Sequence, residues 1–267
     1  MVCAAGPRWA PCCGVLSRPD SGNYRGSLRP CITTPIAPRR RATFRQALLV
    51  VKVGGAVAES AATHVLALVA EGHECVVVHG GGPQISAELA RRGLAVSFVR
   101  GRRVTNADAL AVVREALLGV NAALCAAIGP RALGLAGDEI GLIASPVPEL
   151  GLVGDPLPSR PQAVLDALAE GRIPVVAPLA EGPLNVNADE AASALAVGLG
   201  AERIVFLTDV PGVLRDEWVL ETIDADEAAR LIGTGSFEGG IVPKLEAAVR
   251  AVRGGVRAEI GATQVVA

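Results

Sequence analysis

From residue 46 onwards, short runs rich in β-branched residues alternate with longer runs rich in alanine and leucine. The short runs predict strands at 47–53, 75–79, 132–136, 142–145, 173–177, 203–208 and 256–260. The long runs predict helices at 60–71, 83–92, 107–128, 161–170, 189–199, 225–232 and 242–253. This alternation is typical of a parallel sheet with helices on both faces, so we predict an α/β fold. Ligands of such folds bind beyond the carboxyl ends of the strands.

The charge of the chain is unevenly distributed. Of 267 residues, 51% are hydrophobic and 19% are charged, which suits one large α/β domain and is also compatible with two small ones. The first 46 residues carry eight arginines and one acid, Asp20, whereas the remainder carries 17 basic and 26 acidic residues. An acidic body argues against nucleic acid as the main partner.

Residues 1–46 are rich in Pro, Arg, Gly and Cys and show no periodicity. Such a segment buries too little apolar surface to offset its ordering entropy, so we interpret it as a disordered or non-native leader. A translation start placed too far upstream, a flexible tail and an organelle transit peptide are the three interpretations. The folded domain is assigned to 47–267.

Cysteine usage and hydropathy indicate the compartment. Cys75 and Cys125 lie in apolar segments and are expected to be buried free thiols, as in a reducing environment. No uninterrupted apolar run reaches the roughly 18–20 residues that a membrane span needs. We expect a cytoplasmic protein without a membrane partner.

Two glycine-rich segments follow predicted strands. Lys52 precedes Gly54 and Gly55, and His79 precedes three glycines and Pro83. Glycine lets backbone N–H groups approach a phosphate, and a helix N-terminus favours an anion. Neither segment is a Walker A loop or a dinucleotide fingerprint. Alternatively, the first is a tight turn beside a surface lysine; His79 is interpreted as a packed residue rather than a catalyst.

Two further segments carry polar side chains ahead of predicted helices. Arg103 lies beside the candidate helix caps Thr105 and Asn106, where it can clamp a carboxylate, unless both residues of the Arg102–Arg103 doublet are simply solvated. Asn185, Asn187 and Asp189 form the second group, and capping explains one of the three but not all.

Only two of the 25 basic residues are lysine, namely Lys52 and Lys244. Both adjoin glycine pairs, and Lys244 is predicted in the first turn of a helix, where a cation is disfavoured unless an anion lies nearby. An ammonium group fits among phosphate oxygens where a planar guanidinium does not. The pattern predicts phosphoryl transfer.

Six motifs occur in the order found in one family: KVGG at 52–55, HGGGP at 79–83, GRRVT at 101–105, NVNAD at 185–189, TDVPG at 208–212 and GIVPK at 240–244. On these motifs the chain, from about residue 48 to 267, resembles the amino-acid kinase family. Within it the motifs are similar to those of the branch that phosphorylates N-acetyl-L-glutamate with ATP and Mg²⁺ in arginine biosynthesis. The resemblance implies a three-layer α/β/α sandwich with a mostly parallel central sheet and a homodimer.

The resemblance also implies roles for individual residues. The N-terminal half of the domain would bind the amino-acid substrate, with Gly81 and Gly82 in contact with it and Arg103 and Asn185 holding its carboxylate and acetamido groups. The C-terminal half would bind ATP. The implied nucleotide contacts are Gly54, Gly55, Asp209, Val210, Pro211, Gly212, Val213 and Leu214. Lys52 and Lys244 would stabilise the transition state and Asp189 would position both ammonium groups. No protein metal site is expected.

Departures from the family pattern leave alternatives open. Residues 137–141 are less glycine-rich than the usual segment, so we assign them no ligand role. The C-terminal histidine and glycine-rich turn of arginine-inhibited members are lacking, so we expect no inhibition by arginine. The alternatives are the related kinase of lysine biosynthesis, which acts on an aminoadipate or glutamate attached to a carrier protein, other kinases of the fold, and an inactive nucleotide-binding regulator.

Overall fold

The computed structural model describes residues 47–54 and 58–267. The predicted leader and Gly55 therefore lie outside the described residues. The helices are α1 (Ala58–Ala70), α2 (Gly82–Arg91), α3 (Ala107–Ile128), α4 (Gly137–Ile140), α5 (Gln162–Ala169), α6 (Ala188–Leu199), α7 (Ala225–Gly233) and α8 (Ile241–Arg253).

The strands alternate with these helices along the chain. They are β1 (Leu48–Val53), β2 (Glu74–His79), β3 (Phe98–Val99), β4 (Arg102–Arg103), β5 (Ala132–Ala136), β6 (Ala144–Pro146), β7 (Val153–Pro156), β8 (Ile173–Ala177), β9 (Leu179–Ala180), β10 (Leu184–Val186), β11 (Arg203–Leu207), β12 (Leu214–Arg215), β13 (Trp218–Val219), β14 (Thr222–Asp224), β15 (Arg257–Ile260) and β16 (Thr263–Val266).

An eight-stranded sheet forms the centre of the domain, in the order β14-β16-β15-β11-β1-β2-β8-β5. Every pairing in it is parallel except that between β15 and β16. Strand β1 lies between β11 and β2 and is buried on both faces, as is usual for an interior parallel strand. The predicted, mostly parallel central sheet is confirmed.

Side chains of β1 alternate between two hydrophobic layers, because successive residues of a strand point to opposite faces. Leu49, Val51 and Val53 pack in the layer that contains α1 and α3. Val50 packs in the opposite layer, with residues of α5, α6, α7 and α8. The three-layer α/β/α arrangement is thereby confirmed. Lys52 is two residues beyond Val50 and projects towards α6.

Helix α3 is long and apolar enough to cross a membrane by length and composition, with a mean hydropathy of 1.7. It carries Arg114 and Glu115 near its middle, and it packs against α1, α2, β5 and β8. Those contacts are what a helix in the outer layer of a globular domain makes.

The predicted element boundaries differ from the structure mainly between 137 and 186. Only the end of the strand predicted at 142–145 is present, as part of β6, and the short helix α4 before it was not predicted. Strands β7, β9 and β10, which join β6 in a separate four-stranded sheet, were not predicted, nor were β14, β16 and the hairpins β3–β4 and β12–β13. These strands have two to four residues, too few to establish a period of two.

Candidate active site

The site is built around a buried ion pair between Lys52 and Asp189. Lys52 is near the end of β1 and Asp189 is in the first turn of α6, and Lys52 Nζ lies 2.9 Å from Asp189 Oδ1. The two residues are only 5% and 7% exposed. Asn187 begins α6 by accepting hydrogen bonds from the backbone N–H groups of Asp189 and Glu190, which fixes the first turn. Of the three polar residues predicted here, Asn187 is therefore the cap.

Lys244 approaches the same carboxylate from the first turn of α8. Its Nζ donates a hydrogen bond of 3.1 Å to the carbonyl oxygen of Gly240. Burial lowers the pKa of Lys244; Asp189 opposes that shift, Lys52 adds to it and Asp209 opposes it. Lys52 forms an ion pair with Asp189, whereas Lys244 interacts with that carboxylate only through its charge, and both line a cationic pocket with one buried carboxylate.

An inner cavity of about 320 Å³ opens beside this pair. Lys52, Asp189 and Lys244 line it together with residues of the glycine-rich loop, Phe98, Arg103 and Asn185. Gly81 precedes α2, and a Cβ there would lie 3.1 Å from Leu117 Cδ2, so a side chain would crowd the loop. The first N–H groups of a helix have no intrahelical partner, so α2 begins at the cavity with its positive end. Gly54 and Gly82 also line this cavity.

Arg103 is a buried cation with no counter-charge among the residues that the structure describes. It is 6% exposed, and its Nη2 donates to Ser86 Oγ at 2.8 Å and to the Gly82 carbonyl at 3.3 Å. Its guanidinium carbon lies 4.6 Å from the centroid of the Phe98 ring. Nη1 is buried without a hydrogen-bond partner, and within the described residues no carboxylate pairs with this side chain. Burial lowers the pKa of Arg103. A cation held in this way at a cavity wall suits an anionic ligand.

Asn185 is joined to the Arg103 segment through Thr105. The Asn185 amide nitrogen donates to Thr105 Oγ1 at 3.1 Å, and Thr105 Oγ1 donates to the carbonyl oxygen of Arg103 at 2.9 Å. Asn106, not Thr105, caps α3 by accepting from the N–H of Ala109. These two hydrogen bonds therefore fix the position of Asn185 relative to Arg103 on one wall of the inner cavity.

An outer cavity of about 560 Å³ lies on the other side of Lys244. Its walls include Asp209, Val210, Gly212 and Leu214, together with residues 236–238, 240 and 241. A Cβ at Gly212 would lie 2.6 Å from Thr263 Oγ1, which requires glycine there.

The other two members of the predicted 209–214 segment do not line the outer cavity. Pro211 is exposed and its carbonyl accepts from Ala262, whereas Val213 is buried in the core with its N–H donated to Thr263 Oγ1. Their contacts hold the loop in place.

His79 orients the glycine-rich loop from within the core. Its Nδ1 donates to the Gly80 carbonyl at 3.0 Å, so Nε2 carries no proton and accepts from the Asn121 amide at 3.1 Å. The imidazole is fully buried, and burial lowers its pKa below the ordinary 6.5, with the Gly80 hydrogen bond opposing the shift. His79 is packed and neutral and does not line the inner cavity.

We expect the His79 imidazole to make the fold less stable as the pH falls below 6.5. The unfolded chain then binds a proton that the native state does not, so stability declines by up to about 1.4 kcal/mol per pH unit. The free energy of unfolding by urea, measured from pH 7.5 to 5, should lose this component in His79→Gln. The exposed His64→Gln is the control, and a wild-type slope in His79→Gln would contradict the assignment.

Several contacts of the site carry no signal in the sequence. The guanidinium of Arg102 is not simply solvated. It lines the inner cavity and also pairs with Glu190, which is 88 positions away in the sequence. The stacking of Arg103 on Phe98 and the link between Thr105 and Asn185 were likewise not predicted. Short-range patterns contain no information about such partners.

Comparison with known proteins agrees with this geometry. Residues 47–261 match the model of the Amino acid kinase family. The acetylglutamate kinases of Saccharopolyspora erythraea and Nocardia farcinica are 42% and 43% identical over 241 residues, which is 80% of this chain and 78% of each relative. A crystal structure of a Streptococcus mutans UA159 protein matches with a TM-score of 0.75 and 30% identity over 82% of this chain and 98% of that one. The chain belongs to the amino acid kinase family.

Proposed function

We propose that this protein transfers the γ-phosphoryl group of ATP to the side-chain carboxylate of N-acetyl-L-glutamate, in arginine biosynthesis. The observation that carries the proposal is that Lys244 lines both cavities, so a group passing between them passes its ammonium. The relatives named acetylglutamate kinase support this acceptor over the alternatives.

The acceptor would occupy the inner cavity. Arg103 offers an unpaired guanidinium to its α-carboxylate, and Asn185 offers polar atoms to the acetamido group. Gly81 and Gly82 would let the substrate lie directly against the backbone at the start of α2. The side-chain carboxylate would then point towards Lys52 and Lys244.

The nucleotide would occupy the outer cavity, along the loop of residues 209–214. Across residues 47–54 and 58–267, no three side chains of His, Cys, Asp or Glu come together as a metal centre. Mg²⁺ commonly takes most of its ligands from nucleotide phosphates and water, so we propose that it enters with ATP, where it would neutralise phosphate charge.

The chemistry needs no general base, because the acceptor carboxylate is already ionised at neutral pH. One of its oxygens forms a bond to the γ-phosphorus while the bond from that phosphorus to the bridging oxygen breaks. The electron pair leaves with ADP, and the product is N-acetyl-L-glutamyl 5-phosphate. Lys52 and Lys244 would neutralise the charge on the transferring oxygens, and Asp189 would hold Lys52 in place.

The domain, leader, compartment and oligomer assignments are also proposals. We place residues 47–267 in one kinase domain, preceded by a leader outside it, in the cytoplasm. A homodimer is supported by the outer face of α3, where exposed small and apolar residues cluster at Ala111, Leu118, Gly119, Ala122, Ala123, Ala126 and Ala127. Strand β5, beside α3, is at the edge of the central sheet.

We expect ATP-dependent formation of an acyl phosphate with N-acetyl-L-glutamate as acceptor. Hydroxylamine traps acyl phosphates as hydroxamates, so hydroxamate and ADP should form in equal amounts. Glutamate, N-acetylaspartate and UMP serve as comparison acceptors, and Asp189→Asn serves as the inactive control.

Other outcomes of the assay would identify the alternatives. Turnover of UMP without turnover of N-acetyl-L-glutamate would contradict the proposal. Turnover only of a carrier-linked aminoadipate or glutamate would indicate the lysine-pathway reaction, and nucleotide binding without any turnover would indicate a regulator.

A further inference from the structure

We propose that the ion pair between Arg102 and Glu190 is a positioning strut that fixes Arg103 and Asp189 relative to each other. The inference rests on the proposed function, because it concerns how the acceptor is aligned with the lysines. Arg102 and Glu190 would not touch the reacting atoms. They would act through their neighbours in the sequence.

The strut joins two elements that are distant in the chain. Arg102 donates to Glu190 Oε1 from Nη2 at 2.7 Å and from Nε at 3.1 Å. Arg102 is on β4, beside the clamp residue Arg103, and Glu190 is in the first turn of α6, beside Asp189. The acceptor clamp and the carboxylate that holds Lys52 are therefore each one residue away from the same pair.

The geometry of strand β4 and helix α6 explains why adjacent residues on each element make different contacts. Successive strand residues point in opposite directions, so Arg103 packs on Phe98 and Ser86 while Arg102 reaches α6. Successive helix residues differ by about 100° around the axis, so Asp189 meets Lys52 while Glu190 meets Arg102. A displacement of either strut residue moves its functional neighbour through the backbone.

A second pair extends the strut to the helix that carries Lys244. Arg102 Nη2 lies 3.3 Å from Asp155 Oδ1, and Arg250 on α8 donates to the same oxygen at 2.8 Å. These outer residues are about 40% exposed, so this pair is more weakly held. The chain of four side chains links β4, α6, β7 and α8.

The strut is poorly explained as a device for stability. Glu190 is mostly buried, both Arg102 contacts fall on Oε1, and Oε2 is buried without a partner. Burying an ion pair costs desolvation energy that its attraction often only balances. Such a pair can instead be retained because it positions neighbouring residues. A misplacement of the reacting groups by about 1 Å can reduce a rate about 100-fold.

Steady-state kinetics of Arg102→Gln and Glu190→Gln test the proposal. We expect each variant to raise the KM for N-acetyl-L-glutamate about tenfold and to lower kcat about tenfold, with the KM for ATP changed less than twofold. Because the pair acts as a unit, the double variant should be no worse than either single one. Arg102→Lys, which keeps the charge, should recover part of kcat/KM.

A matched ion pair provides the control. Arg203 and Glu259 lie 2.9 Å apart between β11 and β15, with side-chain exposures of 25% and 22% against 20% and 12% for the strut. Glu259→Gln should lower the Tm about as much as Glu190→Gln and leave both KM values and kcat within twofold.

Two results distinguish the possible failures. If Glu190→Gln lowers the Tm but changes the kinetics no more than Glu259→Gln does, the strut is merely structural and the inference is overturned. If the wild-type protein forms no hydroxamate from N-acetyl-L-glutamate, the proposed function fails first. Additive effects in the double variant would also overturn the inference, because they would show that the two side chains act separately.

Discussion

Lys52→Arg and Lys244→Arg each lower kcat about 100- to 1,000-fold, although both keep the positive charge. This result is expected because the two ammonium groups share a confined space with Asp189, where Lys52 Nζ lies 2.9 Å from the carboxylate. A planar guanidinium is larger and cannot place its charge at the same point. Single-turnover measurements with saturating ATP and acceptor would separate this loss from weaker binding.

The opposite substitution, from arginine to lysine, at a surface position is the control for the lysine variants. Arg91 is on the exposed side of α2 and pairs with Glu88 in the preceding turn, so Arg91→Lys should leave kcat within twofold. Circular dichroism and Tm would show that the lysine variants still fold. A near-normal kcat in both lysine variants would show that Lys52 and Lys244 take no part in the reaction.

We expect Arg103→Met to raise the KM for N-acetyl-L-glutamate about 10- to 150-fold without lowering the Tm of the ligand-free protein. The guanidinium is buried, no carboxylate among the described residues pairs with it, and burial lowers its pKa, so the ligand-free protein gains little from this charge. A charge-assisted bidentate bond to the substrate contributes about 1.5–3 kcal/mol, and removing it weakens binding accordingly. Methionine keeps an unbranched side chain against Phe98.

Thermal shift measurements with each ligand complete the test of Arg103. N-acetyl-L-glutamate should raise the Tm of the wild-type protein and not that of Arg103→Met, because only a ligand that binds the native state stabilises it. ATP with Mg²⁺ should raise the Tm of both, since Arg103 is remote from the outer cavity. An unchanged KM, or a Tm that falls by several degrees without ligand, would show that Arg103 has a structural role instead.

Much of the fold could be predicted because its signals are local. Strand β1, helix α3 and strand β8 have the predicted bounds to within one residue, since β1 and β8 are short apolar runs rich in β-branched residues and α3 is a long run rich in alanine and leucine. The loops after β1 and β2 and the start of α6 were predicted as parts of a site from glycine runs and capping residues that lie within a few positions of each other.

Other features were beyond local patterns. The strand predicted at 142–145 forms only in part, as the edge strand β6, whose place depends on β7 and β10, and the short helix α4 before it was not predicted. Val213 belongs to a predicted nucleotide loop, yet its side chain packs in the core, because the contact of its N–H with Thr263 turns it inwards. Residues 50 positions apart decide such orientations.

By itself the sequence determined the α/β class and the family, because these follow from periodicity and motif order, and the rarity of lysine in this chain made Lys52 and Lys244 the candidates for phosphoryl transfer. The family resemblance implied that Asp189 holds Lys52, whereas only the tertiary structure showed that Arg102 pairs with Glu190. Lys52 meets Asp189 and Arg102 meets Glu190 because the fold places the end of β1, in the central sheet, and β4, in the two-stranded sheet with β3, beside the start of α6. Among the described residues no carboxylate pairs with Arg103. The packing of segments that are distant in the sequence therefore determines which charged side chain is left free to bind a substrate.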